Sequence, residues 1–190
     1  MLNLSVKFIA VGLAFLSVAS PVFAQQKLIP AESEIAFISK QLGVPVSGKF
    51  KKFDAQLAFD PKKPTASTIN FSVDLLSADI GNAETEVELK KPGWFNSLKM
   101  PNATFVSSSG KALGGNKFEF AGKLTIKGTS QNIVVPITIA QTAGKSRVTG
   151  TFTTKRLDFK IGDGDWNDVS LVANEVVVNL NLVLTGIAPL

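Results

Sequence analysis

Apolar and polar residues alternate through much of this chain of 190 residues, and this period limits what the chain can fold into. Residues 53–59 read FDAQLAF and residues 176–185 read VVVNLNLVLT, with apolar side chains at every second position. Because successive side chains of a strand point to opposite faces of its sheet, this pattern predicts half-buried β-strands. Such strands must bury their apolar faces together inside an all-β fold.

Other segments follow the same period and are separated by turn signals. The predicted strands are residues 35–40, 68–75, 104–108, 117–120, 123–127, 132–140, 148–155 and 157–161. The turn signals are Ser109-Gly110, Gly114-Gly115-Asn116, Lys127-Gly128-Thr129 and Thr142-Ala143-Gly144. Short strands at this spacing predict an antiparallel barrel or sandwich.

Residues 82–91, NAETEVELKK, depart from this period. Asn82 is a favourable helix cap, acidic residues come early in the segment, and two lysines stand before Pro92-Gly93. These positions are favourable because the charges complement the helix dipole. The segment is therefore predicted to be one short helix inserted between strands. No internal repeat or flexible linker divides the chain, so residues 25–190 are expected to form a single domain.

Residues 1–24 have the pattern of a secretory signal peptide. Lys7 precedes an apolar run from residue 8 to residue 16, and the segment ends on the small residue Ala24. The run is shorter than the roughly 20 apolar residues that span a bilayer. We therefore expect cleavage after Ala24 and export of residues 25–190.

Histidine, cysteine and tyrosine are absent from the sequence, which contains 14 phenylalanines. The chain therefore has no imidazole or thiolate for catalysis and lacks the usual ligands of zinc. We predict that the protein is not an enzyme, binds no metal and needs no cofactor. Phenylalanines on alternating strands would line an interior with few hydrogen-bonding groups, which suits an apolar ligand.

Basic residues exceed acidic residues by five, but only Arg147 and Arg156 are arginines. Proteins that read nucleic acids rely heavily on arginine, so this balance predicts no nucleic-acid partner. A lysine cluster near the start is expected to face solvent or the polar head group of a ligand. Its members are Lys40, Lys49, Lys51 and Lys52.

An acidic turn occupies residues 162–168, GDGDWND. Its aspartates resemble the start of a calcium loop, but the remaining ligands of that loop, including its final glutamate, are missing. A solvated turn between two strands is the expected structure. The aspartates are Asp163, Asp165 and Asp168.

Four blocks of the sequence resemble one known family, and they occur in the family's order. The blocks are SEIAFISKQLGVPVSGKFKKFDAQLAFDP (33–61), LKKPGWF with PNATF (89–105), AGKLTIKG (121–128) and the region 156–182. The family is that of the YceI-like proteins, which are described as periplasmic polyisoprenoid-binding domains. The resemblance covers nearly all of residues 25–190.

The resemblance implies a lipocalin-like antiparallel β-barrel of about eight strands with a short helical insertion. It further implies an apolar tunnel that holds a long isoprenoid lipid, such as a polyprenyl quinone or a quinone precursor. The ligand-binding positions that it carries over are Phe37, Phe50, Phe53, Phe59, Leu89, Trp94, Phe95, Phe105, Leu124, Ile126 and Phe159. Phe71, on the apolar face of the 68–75 strand, joins this predicted set.

The chain departs from the family at Gln41, where many members have a histidine. A proton or metal role of that histidine therefore does not extend to this chain. Some relatives are linked to b-type cytochromes of the inner membrane, which makes such a cytochrome a candidate partner. The sequence leaves the oligomeric state open.

The leading hypothesis for function is a periplasmic carrier or sensor that sequesters an isoprenoid lipid. A second hypothesis is an outer-membrane β-barrel, a class whose membrane interfaces are rich in Tyr and Trp. This chain has no Tyr and two Trp, which weighs against that class. A third hypothesis is a hydrolase that uses serine or carboxylates, although none of these residues falls into a recognised catalytic constellation.

Overall fold

One antiparallel β-sheet accounts for most of residues 25–190, the part of the chain that the computed structural model describes. Its strands are β1 (Lys27–Leu28), β2 (Glu34–Gln41), β3 (Val44–Phe50), β4 (Phe53–Ala58), β5 (Thr68–Asp74), β6 (Ala78–Asp79), β7 (Asn102–Gly114), β8 (Lys117–Ile126), β9 (Thr129–Thr142), β10 (Lys145–Lys155) and β11 (Glu175–Thr185). The predicted all-β class is confirmed. The predicted signal peptide lies outside the described residues.

The sheet curls into an open half-barrel. Its strand order is β4-β5-β7-β8-β9-β10-β11-β2-β3-β6, and β1 pairs with β11 beyond the end of β2. The longest pairing joins β10 to β11 over their full lengths, from Lys145↔Thr185 to Lys155↔Glu175. Among the described residues the ladder ends at β4 on one side and β6 on the other. The barrel-like class is therefore confirmed, with more strands in the wall than expected.

A side chain joins the first strand to the free end of the sheet at β4. β1 pairs with the last residues of β11, Lys27 with Thr185. One residue earlier, Gln26 Nε2 donates to the carbonyl oxygen of Phe59 at 2.7 Å, and Gln26 Oε1 accepts from the Phe59 N–H at 2.8 Å. These two bonds reproduce the exchange between opposite residues of antiparallel strands. The wall is thus completed here by an amide side chain.

Two predicted breaks in the strands are wrong. β7 continues through Ser109-Gly110, because a register shift between Ser107 and Ser109 absorbs the irregularity within the strand. The predicted segments 117–120 and 123–127 form the single strand β8. In both cases pairing with the neighbouring strand holds the backbone extended through small residues that alone indicate a turn.

β3 lies outside the predicted strands. Its sequence, VPVSGKF, contains Pro45 and Gly48, two residues that are depleted in strands. β3 tolerates them because it pairs with β6 only at Lys49 and Phe50, so its first residues lie at an edge of the sheet. Proline is compatible with an edge strand because it lacks the N–H that a second neighbour would need.

The strand predicted at residues 157–161 is wrong. Arg156–Phe159 form a 3₁₀ helix, and Lys160 ends it with a left-handed φ of 57°. The cause is the side chain of Arg156, which is buried and donates to carbonyl oxygens of the residues that follow. This tertiary interaction is not visible in the apolar period of the segment.

The predicted helix is confirmed as α1 (Ala83–Leu89). Asn82 caps it, since its side-chain oxygen accepts from the Thr85 N–H at 2.9 Å. No helix among residues 25–190 is long and apolar enough to cross a membrane. α1 belongs to the connection from β5 to β7, which lies at the opposite end of the sheet from Phe59. We refer to these two ends as the helix end and the Phe59 end.

The Gln26 junction gives a first testable prediction. Gln26→Ala leaves the Phe59 N–H and carbonyl group without this partner, and we expect a loss of about 1–2 kcal/mol in the free energy of unfolding. Urea denaturation measures the loss, and hydrogen exchange at the Phe59 amide should accelerate. Gln25→Ala is the matched control, because Gln25 is exposed. Equal stability of the two variants would show that the amide does not hold the wall together.

Candidate functional site

The curled sheet encloses a cavity of about 200 Å³. Its walls are the inward side chains of the strands, with Phe59, Leu75, Phe95 and Ile187 added from outside the strands. The lining residues are Ile35, Phe50, Ala55, Leu57, Phe59, Ile69, Phe71, Val73, Leu75, Phe95, Ala103, Thr104, Phe105, Phe120, Leu124, Ile126, Ile133, Val135, Ile137, Ile139, Val148, Phe152, Thr154, Val178, Leu180, Leu182, Leu184 and Ile187.

The chemistry of the lining is almost entirely hydrocarbon. Only Thr104 and Thr154 carry a polar side chain, and no lining residue is titratable. A molecule inside would be bound by the removal of its apolar surface from water, which contributes about 0.8 kcal/mol for each buried methylene group. Charged groups would lose their hydration without finding a partner. The cavity therefore favours an apolar guest.

Aromatic rings close the cavity at the Phe59 end. Phe59 meets Phe118 and Phe120 edge-to-face, with ring centroids 5.2 Å and 5.6 Å apart. Edge-to-face pairs are favourable because the positive edge of one ring meets the negative face of the other. All three rings are buried, and Leu28 and Ile187 pack against this cluster. This end is a packed apolar plug.

Two inner-wall rings lie close to glycines of the neighbouring strand. A Cβ at Gly122 would stand 2.6 Å from the ring of Phe105, and one at Gly110 would stand 2.6 Å from the ring of Phe120. Only glycine leaves room for such an approach. The two rings are thus held against the wall, which keeps the space beyond them open.

The connection from β5 to β7 covers the helix end of the cavity. Phe95, which follows α1, reaches the lining and lies 6.2 Å from Phe50 between ring centroids. The Phe95 N–H donates to the carbonyl oxygen of Leu89 at 2.9 Å, which ties the ring to the end of α1. Phe95 and Trp94 also pack on a second buried cluster around Leu124 and Phe159. The connection from β5 to β7 therefore contributes Leu75 and Phe95 to the cavity wall.

Arg156 holds the long connection between β10 and β11 at the helix end. It is 3% exposed, and its guanidinium donates only to backbone carbonyl oxygens. The acceptors are Ala173 at 3.2 Å, Ile161 at 2.9 Å, Gly162 at 2.8 Å, Trp166 at 2.7 Å and Val172 at 2.7 Å. Burial lowers the pKa of Arg156 from its ordinary value. Carbonyl dipoles stabilise this buried charge, and one side chain organises residues 156–173.

Two aspartates of the acidic turn form hydrogen bonds or ion pairs with nearby side chains and backbone groups. Asp168 Oδ1 accepts from the backbone N–H of Ser170 at 2.8 Å and from its hydroxyl at 2.7 Å, and these bonds lower the pKa of Asp168. Asp163 lies 3.4 Å from Lys127 Nζ. Within residues 25–190 no group of three or more acidic residues is placed to hold a metal ion. The turn carries solvated and structural carboxylates.

The lysine cluster lies outside the cavity lining. Lys51 forms an ion pair with Asp79 at 2.8 Å, which raises the pKa of Lys51 and lowers the pKa of Asp79. Lys40, Lys49 and Lys52 are exposed. These charges belong to the outer surface of the sheet, where solvent screens them.

The structure brings seven of the predicted ligand-binding residues together around the cavity. These are Phe50, Phe59, Phe71, Phe95, Phe105, Leu124 and Ile126. The other five, Phe37, Phe53, Leu89, Trp94 and Phe159, do not line it. Four of these five pack against lining residues. Phe37 lies 5.2 Å from Phe50 and Phe53 lies 6.1 Å from Phe71 between ring centroids, and Trp94 and the fully buried Phe159 pack in the cluster of Leu124. Contact of any of them with a ligand remains a prediction.

Many lining residues are outside the predicted set. They are mainly aliphatic side chains of β4, β5, β9 and β11, together with Phe120 and Phe152. The signal for them was present in the sequence, because alternation places Leu57 beside Phe59 and Ile69 beside Phe71 on the same face. The family resemblance selected aromatic positions, while the strand period marks the aliphatic ones equally well.

The curled antiparallel sheet and its hydrocarbon lining define a class, that of β-barrel-like proteins with an internal apolar cavity. The profile of the YceI-like domain matches residues 27–184, so this chain belongs to the YceI-like family. Protein YceI of Escherichia coli O157:H7 is 32% identical over 131 residues, which are 65% of this chain and 68% of that protein.

Solved structures share the fold. The crystal structure of Burkholderia cenocepacia BcnA is 40% identical and matches with a TM-score of 0.79, covering 82% of this chain and 98% of that one. A polyisoprenoid binding domain from Saccharophagus degradans, implicated in plant cell wall breakdown, is 18% identical and matches with a TM-score of 0.68. That match covers 87% of this chain and 99% of that one. The fold of the sheet is therefore a shared architecture.

The buried guanidinium leads to a second prediction. Arg156→Gln removes at least three of its five hydrogen bonds to carbonyl oxygens, and we expect a loss of about 3 kcal/mol in the free energy of unfolding. Urea denaturation followed by tryptophan fluorescence measures it. Arg147→Gln is the matched control, because Arg147 is exposed and donates only to Asn181. A loss of the same size in both variants would contradict a special role of Arg156.

Proposed function

We propose that this protein binds an isoprenoid lipid in the cavity and carries, stores or senses it. The observation that carries the proposal is the lining, in which every side chain except two threonines is a hydrocarbon. The shared fold with a solved polyisoprenoid binding domain supports the same ligand class. The YceI-like family and its polyisoprenoid-binding structural neighbour support binding as the activity.

The binding energy comes from desolvation of the prenyl chain. Each buried methylene contributes about 0.8 kcal/mol, against which the loss of ligand freedom must be set. One or two prenyl units inside the wall therefore suffice for useful affinity. The branched Val, Ile and Leu side chains of the lining contact a prenyl chain without directional bonds. The volume of the cavity therefore limits the length of the chain more than specific contacts do.

We further propose that the protein lies in the periplasm and that its ligand is a polyprenyl quinone or a quinone precursor. Export is supported by the signal-peptide pattern of residues 1–24. The quinone follows from the family resemblance, which also makes an inner-membrane b-type cytochrome the candidate partner. Cell fractionation tests the location, and recovery of the protein only with detergent-solubilised outer membrane would contradict it.

Native mass spectrometry of freshly purified protein tests the ligand class directly. We expect a bound species whose mass, after extraction, is that of an isoprenoid lipid. Protein that arrives empty is incubated with farnesol and measured again. A preparation that is empty and takes up no added isoprenoid would overturn the proposal.

A cavity-filling variant provides the third prediction. Ala55 lines the cavity, so Ala55→Phe should occupy space needed by the ligand and lower the affinity for farnesol at least tenfold. Affinity is measured by displacement of the neutral fluorescent probe N-phenyl-1-naphthylamine. Ala58→Phe introduces the same ring at an exposed position of β4 and should bind like the wild type. Equal affinities of the two variants would place the ligand outside this cavity.

The fourth prediction concerns pH. Binding of a neutral lipid should stay constant within about twofold from pH 5 to pH 8, since histidine is the side chain that ordinarily titrates there. The chain contains no histidine, and no titratable residue lines the cavity. The same displacement assay, repeated across this range, measures it. A tenfold change would show that a charged group contacts the ligand.

A further inference from the structure

Thr154 is a polar side chain of the cavity lining that the strand period turns toward the interior. It lines the cavity together with Val148 and Phe152 of the same strand, β10. Thr151 and Thr153 stand on the opposite face and are exposed, and the Thr151 hydroxyl is hydrogen-bonded to Asn179 at 2.9 Å. The inward hydroxyl of Thr154 is therefore distinct from the outward row of threonines on this strand.

Thr104, the other polar residue of the lining, belongs to the outer face. It alternates with Ala103 and Phe105, whose side chains face inward, and it also borders an outer groove that Asp54 and Ser72 line. Its hydroxyl is accordingly available to solvent. Among the lining residues, Thr154 remains as the hydroxyl directed at the interior.

The position of Thr154 makes the cavity asymmetric along its length. The Phe59 end is closed by three buried aromatic rings, and no polar side chain of the cavity lining lies there. Thr154 is the penultimate residue of β10 and stands two residues before Arg156, at the helix end. An elongated guest with one polar end therefore has a preferred direction, with its apolar tail toward Phe59.

We infer that the Thr154 hydroxyl binds the polar end of the lipid by donating a hydrogen bond to a neutral oxygen acceptor. This inference rests on the proposed function and names the ligand class more narrowly. Among residues 25–190 no hydrogen bond uses this hydroxyl, so it can serve a ligand oxygen. A ketone, a quinone carbonyl or an alcohol fits such a site.

A charged head group does not fit it. A diphosphate or carboxylate needs cations or several donors when it leaves water. The lining has neither a lysine nor an arginine, and the buried Arg156 is committed to five carbonyl oxygens. The site therefore selects a neutral oxygen-bearing isoprenoid over its phosphorylated form.

Matched ligands and matched variants test this orientation. The ketone farnesylacetone and the hydrocarbon farnesene are compared by displacement of N-phenyl-1-naphthylamine. Thr154→Val keeps the size and branching of the side chain but lacks the hydroxyl, and it should weaken farnesylacetone binding about three- to tenfold. Farnesene binding should change less than twofold. Thr154→Ser should retain ketone affinity, and the outward variant Thr153→Val should behave as wild type with both ligands.

The outcomes separate this inference from the proposed function. Wild-type protein that binds neither ligand would overturn both. Wild-type protein that binds both, with Thr154→Val unchanged toward the ketone or weakened equally toward ketone and hydrocarbon, would overturn the role of Thr154 alone. Tighter binding of farnesyl diphosphate than of farnesylacetone would also overturn it. Circular dichroism melting confirms that each variant is folded before these comparisons.

Discussion

The apolar inner face of one antiparallel sheet is the constraint on which the rest of the structure depends. A strand with alternating side chains needs cover for one face, and two stacked sheets or an attached helix layer can supply it. Here one sheet curls and covers itself, and the connections at its helix end pack against it around Phe159. The curl leaves internal space that the wall residues do not fill. The cavity is thus a direct result of how the sheet buries its own apolar face.

The two ends of this sheet are finished by polar interactions, while the interior is nearly free of them. Gln26 bonds to the backbone of Phe59 at one seam, and Arg156 gathers carbonyl groups of the β10–β11 connection at the other end. Gln26 and Arg156 both find backbone partners, which avoids the cost of burying these polar groups alone. These side-chain hydrogen bonds are therefore concentrated at the two ends of the sheet. A molecule in the cavity would be held by dispersion contacts and by the removal of its apolar surface from water. This division of labour suits a wall that holds a guest without reacting with it.

The sequence predicts the parts of this fold that follow from local pattern. Alternation places β4, β5 and β11, and the cap at Asn82 places α1, because each signal lies within the element itself. It fails at β3 and at Arg156–Phe159, where an edge position and a buried guanidinium decide the backbone. The cavity shows the same limit. The period places Phe105 and Phe53 on the apolar faces of their strands, but it does not say that Phe105 lines the cavity while Phe53 does not.

The Gln26 junction also governs when the wall can be completed. It ties residues 26–28 both to Phe59 and to Leu184 and Thr185, segments far apart along the chain. Contacts between distant segments form slowly, because the entropy of closing the intervening loop is lost before the contacts contribute favourable energy. β1 can pair only in a chain that already includes β11, so a chain that ends before residue 184 lacks this pairing. The binding compartment consequently depends on contacts between the two ends of the described residues.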